Sequence, residues 1–130
     1  MGAAFFDLDK TLIARNSGSL WVRSELRGGY ISRWEFARAS WLLFRYHLGF
    51  AAVEDAVLEA IASLAGDREV DVRGRTHAFY DREVHGLYRP GGRAALEAHR
   101  EAGDQLVLCT TSSNYLSERV SETLGLDHYI

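Results

Sequence analysis

Apolar and polar positions follow two different rhythms along this chain. Near the start, Ala3-Ala4-Phe5-Phe6 is a continuous apolar run. It is too short for a helix and shows no polar alternation, so it predicts a short buried strand. A second apolar run, Gln105 to Cys109, leads into the hydroxyl-rich stretch Thr110-Thr111-Ser112-Ser113-Asn114. Between the two, roughly Ala14 to Tyr88, the spacing becomes helical throughout. Asn16 or Ser17 is placed to cap a helix running to about Arg27, with Gly28-Gly29 as its stop. Ser32 opens the next, in which Trp34, Ala37, Trp41, Phe44 and Leu48 recur at three and four and Gly49 ends the helix. Val53, Val57, Ala60, Ile61 and Leu64 outline a third helix, ended by Gly66. A fourth covers about Arg68 to Val84, with a weaker pattern through Val72, Phe79 and Tyr80. The aromatic run Trp41 to Phe50 is expected to pack inside this helical segment. Arg89-Pro90-Gly91-Gly92 reads as a loop, followed by a helix from about Arg93 to Ala102. The last helix, Asn114 to Leu124, should bury Leu116, Val120 and Leu124, with Gly125 as its C-cap. Tyr129-Ile130 has the character of a strand opening.

The chemistry concentrates where the first strand ends. Asp7 and Asp9 are spaced i, i+2, and Thr11 follows two residues on. Open α/β sheets place their ligand sites at such strand ends. Two carboxylates there repel each other unless a cation, a proton or a reacting group lies between them. A capped turn with two solvated carboxylates is the plain alternative, but acids paired in this way do nothing for the fold. The pair therefore predicts a reactive site, and phosphoryl transfer through an aspartyl-phosphate suits it.

The stretch Ala3 to Ile13 resembles motif I of the haloacid dehalogenase (HAD) superfamily, an apolar run followed by DxDxT. The resemblance implies that Asp7 is the nucleophile, Asp9 the general acid/base and Thr11 the motif's threonine. Lys10 stands where the motif usually has a small residue, which puts a cation beside the phosphate site. The second strand is similar to motif II, whose Ser or Thr hydroxyl and following N–H groups hold phosphoryl oxygens. Thr110 matches that residue by position, with Thr111 and Ser112 beside it and Ser112 as the substitute. Ser112 or Ser113 also reads as the N-cap of the following helix. The helical insertion resembles the small cap of subfamily IB, the phosphoserine-phosphatase-like hydrolases.

That resemblance implies an α/β fold. It would be a Rossmann-like HAD core with an incomplete parallel sheet in residues 1–13 and 89–130, and an inserted all-helical cap in 14–88. It also implies Mg²⁺ held by Asp7 and Asp9, and a small phosphorylated metabolite as substrate. In phosphoserine phosphatases a glutamate shortly after motif I recognises the amino acid part of the substrate. Asn16 occupies the matching position here, which argues against phosphoserine itself.

Two departures bear on activity. The HAD site also uses a lysine and a downstream acidic pair, but no lysine follows Thr110. The remaining acids Glu118, Glu122 and Asp127 fall on or beside a helix. The chain is therefore expected to be the N-terminal part of a longer phosphatase, inactive alone, with an open strand edge prone to self-association. The non-enzymatic alternative is an inactive HAD-derived module that binds a partner or a phosphate without turnover.

Composition narrows the remaining classes. A length of 130 residues suits one domain, and the net charge of −3 comes without a basic patch interleaved with aromatics, which excludes nucleic acid. The lone cysteine, Cys109, is expected as a small buried hydrophobe in the second strand. It excludes an internal disulfide framework and fits a reducing cytoplasm. No signal-peptide pattern and no apolar run of membrane-spanning length is found. Lys10 stands alone against fourteen arginines, a compositional bias. His77, Asp81 and His85 share i, i+4, i+8 spacing, one that helical metal ligands use, but Arg82 and Glu83 favour an ion-paired solvated face. Three rival classes fit worse. A receiver domain needs a mid-chain strand-end aspartate and a late lysine, whereas Asp55 falls mid-helix. A P-type ATPase shares Asp9-Lys10-Thr11, but here the strand ends at Asp7. A nucleotide-sugar transferase DxD leaves Thr11 and the helical insertion unexplained.

Overall fold

The computed structural model describes all 130 residues except the side chains of Val53 and Ala56. Val53, assigned above to the third helix's apolar face, lies outside the described side chains. Three short parallel strands, β1 (Ala3–Phe6), β2 (Gln105–Leu108) and β3 (His128–Tyr129), form one sheet in the order β1-β2-β3. The register sets Ala3 opposite Gln105 and Phe6 opposite Leu108, then Leu108 opposite Tyr129. Four helices follow β1: α1 (Ser17–Gly28), α2 (Arg33–His47), α3 (Val53–Ser63) and α4 (Glu69–Phe79). α5 (Pro90–Glu101) precedes β2, and α6 (Asn114–Leu124) links β2 to β3. This is a helix-rich α/β fold with a small parallel sheet. The chain forms two compact units, one of Met1–Ser17 with Arg73–Ile130 and one of Gly18–Val72.

In the first unit, Leu8, Ile13, Phe79, Tyr80, Val84, Leu108 and Val120 are fully buried. α4 runs into a π-helical turn, Tyr80–Val84, and a 3-10 turn, His85–Leu87. The wider turn continues from the adjacent buried pair Phe79 and Tyr80 to Val84, which no single 3.6-residue stripe predicts cleanly. The Tyr80 hydroxyl donates to Thr123 Oγ1 at 2.6 Å and lies 2.9 Å from that of Tyr88. Burial, then this bond to Tyr80, push the Tyr88 phenol well above its ordinary pKa. α6 begins at Ser113, whose side chain accepts from the Leu116 N–H, and buries Leu116, Val120 and Leu124 as the spacing predicts. Gly125 ends it in the left-handed conformation at φ 62°.

Several expectations are corrected. β1 is not buried on both faces. Ala4 and Phe6 point into the core, while Phe5 is 64% exposed, because β1 is an edge strand covered on one face among the described residues. Cys109 is exposed: β2 stops at Leu108, and Cys109 lies beyond the sheet with its N–H bonded to the Phe6 carbonyl. The Arg89–Gly92 segment is not all loop. Pro90 takes the first position of α5, where a missing N–H costs nothing, and Gly91 and Gly92 complete that turn. A Cβ on Gly92 would meet Leu12 Cδ2 at 3.2 Å and Leu12 Cα at 3.4 Å, so glycine allows this close approach.

In the second unit, α2 starts with a capping box, Ser32 accepting from the Glu35 N–H and Glu35 from the Ser32 N–H. That bond to the Ser32 N–H, then the one to its side chain, hold the Glu35 carboxyl below its usual range. Gly49, at φ 76°, follows the helix. α2 and α3 pack as a hairpin, with Arg38 and Glu59 paired at 2.9 Å. The aromatic run does not pack inside. α2 has no buried residue, and Trp41, Phe44 and Phe50 stand in solvent. The 3–4 repeat places Trp41 and Phe44 on one face, but no element among the described residues covers it.

Candidate active site

The site is built on the turn that follows β1. The pattern Asp7-Leu8-Asp9-Lys10-Thr11-Leu12-Ile13 splits cleanly, since Leu8, Leu12 and Ile13 are buried while Asp7, Lys10 and Thr11 are exposed and Asp9 half-buried. Burial of the three aliphatics holds the turn against the core and leaves the polar positions facing out. Backbone bonds close it: Thr11 N–H and Ile13 N–H donate to the Leu8 carbonyl, and Leu12 N–H donates to that of Asp7. Ala14 N–H then reaches the Leu87 carbonyl, and Arg89 N–H the Leu12 carbonyl. Lys10 adopts φ 60°, a left-handed conformation costing a non-glycine residue about 1–2 kcal/mol. Arg89 Nη1 holds the Lys10 carbonyl at 2.7 Å in that turn. Backbone strain of this kind persists where surrounding bonds over-determine it.

Asp7 and Asp9 are held differently. Asp7 directly follows the last paired residue of β1, and its Oδ1 accepts from the Leu8 N–H at 2.7 Å. Asp9 uses both oxygens, Oδ1 accepting from the Ser17 N–H at 2.9 Å and Oδ2 from Asn16 Nδ2 at 3.1 Å. A carboxylate at a helix N-terminus meets the positive end of the helix dipole and an otherwise unpaired N–H. Asp9, eight residues upstream, thus serves the start of α1, a role that local capping rules assign to Asn16 or Ser17.

The second strand end lies alongside the first. Cys109 N–H bonds the Phe6 carbonyl at 2.8 Å, and Thr110, two residues past the end of β2, donates its own N–H to the Ile130 carbonyl at 3.0 Å. The Thr110 hydroxyl donates to Ser112 Oγ at 3.2 Å and accepts from the Ser112 N–H at 3.2 Å. Ser112 Oγ lies 3.1 Å from Ser17 Oγ. One continuous chain of bonds therefore joins Asp9, Ser17, Ser112 and Thr110. Thr11 and Thr111 are exposed, and no side-chain bond ties either into that chain. Ser113, not Ser112, is the cap of α6.

Asn16 and Ser17 enter the site although motif matching assigned neither a catalytic task. The available signal was the capping pair beside an acidic turn. The later acids are engaged away from this turn. Glu118 faces Arg73 at 3.9 Å and His77 at 3.5 Å, Glu122 pairs with Arg119, and Asp127 Oδ2 accepts from the Leu106 N–H. Asp81 pairs with Arg119 at 2.8 Å, while His85 packs edge-on to Tyr80, so His77, Asp81 and His85 have separate partners. Among the described residues, no group of three His, Cys, Asp or Glu side chains could hold a metal.

The two strand ends thus bring an aspartate, a second carboxylate and a hydroxyl cluster into one region. The haloacid dehalogenase-like hydrolase family model matches residues 4–130, and the chain belongs to that family. It is 30% identical over 135 residues to the inhibition of morphological differentiation protein of Streptomyces azureus, covering 98% of this chain and 47% of that protein. The crystal structure of a protein with unknown function from Bordetella pertussis Tohama I matches with a TM-score of 0.85 at 25% identity, over 98% of this chain and 58% of that one. A phosphoserine phosphatase solved as a phospho-aspartyl intermediate analogue shares the fold, with a TM-score of 0.71 at 13% identity over 100% of this chain and 56% of that one. The chain spans about half the length of these relatives.

Proposed function

We propose that the protein is the N-terminal part of a phosphoserine-phosphatase-like, Mg²⁺-dependent phosphomonoester hydrolase acting in the cytoplasm through an aspartyl-phosphate. The observation that carries this reading is the bonded chain from Asp9 through Ser17 and Ser112 to Thr110, beside the strand end that presents Asp7. In the first step a carboxylate oxygen of Asp7 attacks phosphorus, the bond from phosphorus to the ester oxygen breaks, and Asp9 gives its proton to the leaving alcohol. In the second, Asp9 takes a proton from water, the water oxygen attacks phosphorus, and the Asp7 carboxylate leaves inorganic phosphate. Asn16 and the Ser17 N–H hold the Asp9 carboxyl in place for both transfers. A phosphoryl oxygen takes over from Ser112 as acceptor of the Thr110 hydroxyl.

Mg²⁺ fits the donor set, because it prefers oxygen, keeps several waters and needs only one or two carboxylates from the protein. Asp7 and Asp9 would hold it, and its charge offsets that of the phosphoryl group. The test is trapping of the full-length protein with fluoroberyllate and Mg²⁺. The adduct is expected on Asp7 and lost in Asp7→Asn; an adduct on any other residue removes the assignment.

The substrate is a small phosphorylated metabolite selected by the helical insertion, and phosphoserine is not the preferred one. Asn16 supports this, since an amide lacks the charge to hold an ammonium group and here its Nδ2 donates to Asp9. A panel of phosphomonoesters decides it, with a clear phosphoserine optimum as the contrary result.

A second reading applies to these 130 residues by themselves. Glu118, Glu122 and Asp127 are engaged elsewhere, which supports an inactive module that binds phosphate or a partner without turnover. On this reading, the open β1 edge also favours self-association of the isolated segment. Turnover of p-nitrophenyl phosphate by the 130-residue segment would exclude it.

A further inference from the structure

We infer that the α2–α3 hairpin is a self-complementary docking surface on which a second copy of this chain seats, building a four-helix bundle across a two-fold axis. The surface starts from α2. Trp34, Trp41 and Leu48 recur at seven residues with Ala37 and Phe44 between them, the seam spacing of a coiled coil. Trp34 is 76%, Trp41 60%, Phe44 54% and Phe50 72% exposed. Trp41 and Phe44 stack at 5.8 Å, so part of the platform is ordered before anything binds. At ~150–250 Å² per aromatic side chain, these four present about 400–650 Å². Leu58 and Ile61 of α3 are exposed as well, at i and i+3. Patches of more than a few hundred Å² mark interaction sites, and a standard interface takes ~800 Å² from each partner.

Charge selects the occupant. α2 carries Arg33, Arg38 and Arg45 against Glu35, whereas α3 carries Glu54, Asp55 and Glu59 and no basic residue. The two signs are thus segregated onto adjacent helices of one hairpin. Pairing α2 with α2 of a second copy sets arginine against arginine. Pairing α2 with the second copy's α3, and the reverse, sets the three arginines against the three acids and leaves Glu35 as the one like charge, in an isologous two-fold contact. Arg38 and Glu59 already make this match within the hairpin. An anionic membrane would attract α2 and repel α3 in the same encounter. A two-fold copy satisfies both helices.

The test uses the full-length protein in sedimentation velocity over a range of concentrations. Wild type is expected to dimerise, and Trp41→Asp, at an exposed position, to weaken dimerisation at least tenfold. Arg33→Glu with Arg45→Glu leaves Arg38 as the one arginine of the hairpin against six acids, and Glu54→Arg with Asp55→Arg leaves Glu35 and Glu59 against five arginines. Each double variant alone should stay monomeric, and an equimolar mixture should form a heterodimer. A monomeric wild type, a dimer indifferent to Trp41→Asp, or a mixture that fails to associate overturns the proposal. Flotation of wild type with anionic vesicles without self-association also overturns it and assigns the surface to lipid.

Discussion

The turn after β1 and the α2–α3 hairpin are both apolar at regular intervals, yet they end in opposite places. Leu8, Leu12 and Ile13 are almost wholly removed from solvent, whereas Trp34, Trp41 and Phe44 are mostly in it. The turn is tied to residues 87–89 by backbone bonds, and Gly92 allows α5 to approach Leu12. In the hairpin, α2 and α3 pack on each other, and α2 buries no residue. Periodicity reports which residues share a face, and burial depends on whether another element reaches that face.

This contrast can be broken at several points. The largest effect belongs to the polar side of the turn. Asp9→Asn in the full-length protein should lower turnover by roughly 10²–10⁴, the range for a positioned acid/base, with little loss of fold. Steady-state kinetics alongside thermal unfolding check both halves, and an unaffected rate removes Asp9 from the mechanism.

Next comes the buried side of the same turn against the hairpin. Ile13→Ala should cost about 2–5 kcal/mol by loss of transfer energy and the cavity left behind. Trp34→Ser, though it removes a larger side chain, should stay within about 0.5 kcal/mol as an exposed substitution in a monomeric sample. Urea unfolding of both variants measures the difference, and similar losses would show that a neighbour covers Trp34.

The smallest effect lies at the start of β1. Asp104 bonds His99 at 2.8 Å and the Gly2 N–H at 2.8 Å, and these bonds, His99 first, hold its carboxyl below the ordinary 3.8. A depressed carboxyl stabilises the folded state above its unfolded pKa, and that contribution is lost as pH falls through the folded value. Stability should therefore drop slightly below about pH 3.8 in wild type and less so in Asp104→Asn. Urea midpoints measured between pH 2 and 6 test it.

Much of the architecture was legible because its causes are local. The helix start at Ser32, the Ser113 cap, the left-handed Gly125 and the buried stripe of α6 each follow from residues within a few positions. The apolar run ending in Asp7 and Asp9 marked the strand end and its carboxylates for the same reason. Other features had no local cause to read. The π-helical turn answers the burial of both Phe79 and Tyr80, and the exposure of Cys109 follows from where the sheet stops.

By itself, the amino-acid sequence determined most of the elements, their order and the family motif, because helix caps, strand spacing and turn residues act over a few positions. Only the tertiary structure decided who holds Asp9 and what surrounds the hydroxyl cluster. Ser17 lies eight residues from Asp9 and 95 from Ser112, and bonds across such separations exist only once the two strand ends are brought together. The same holds for the aromatic face of α2. Its residues were aligned by helical spacing, but whether they met solvent or a neighbour depended on packing that no short window of sequence contains.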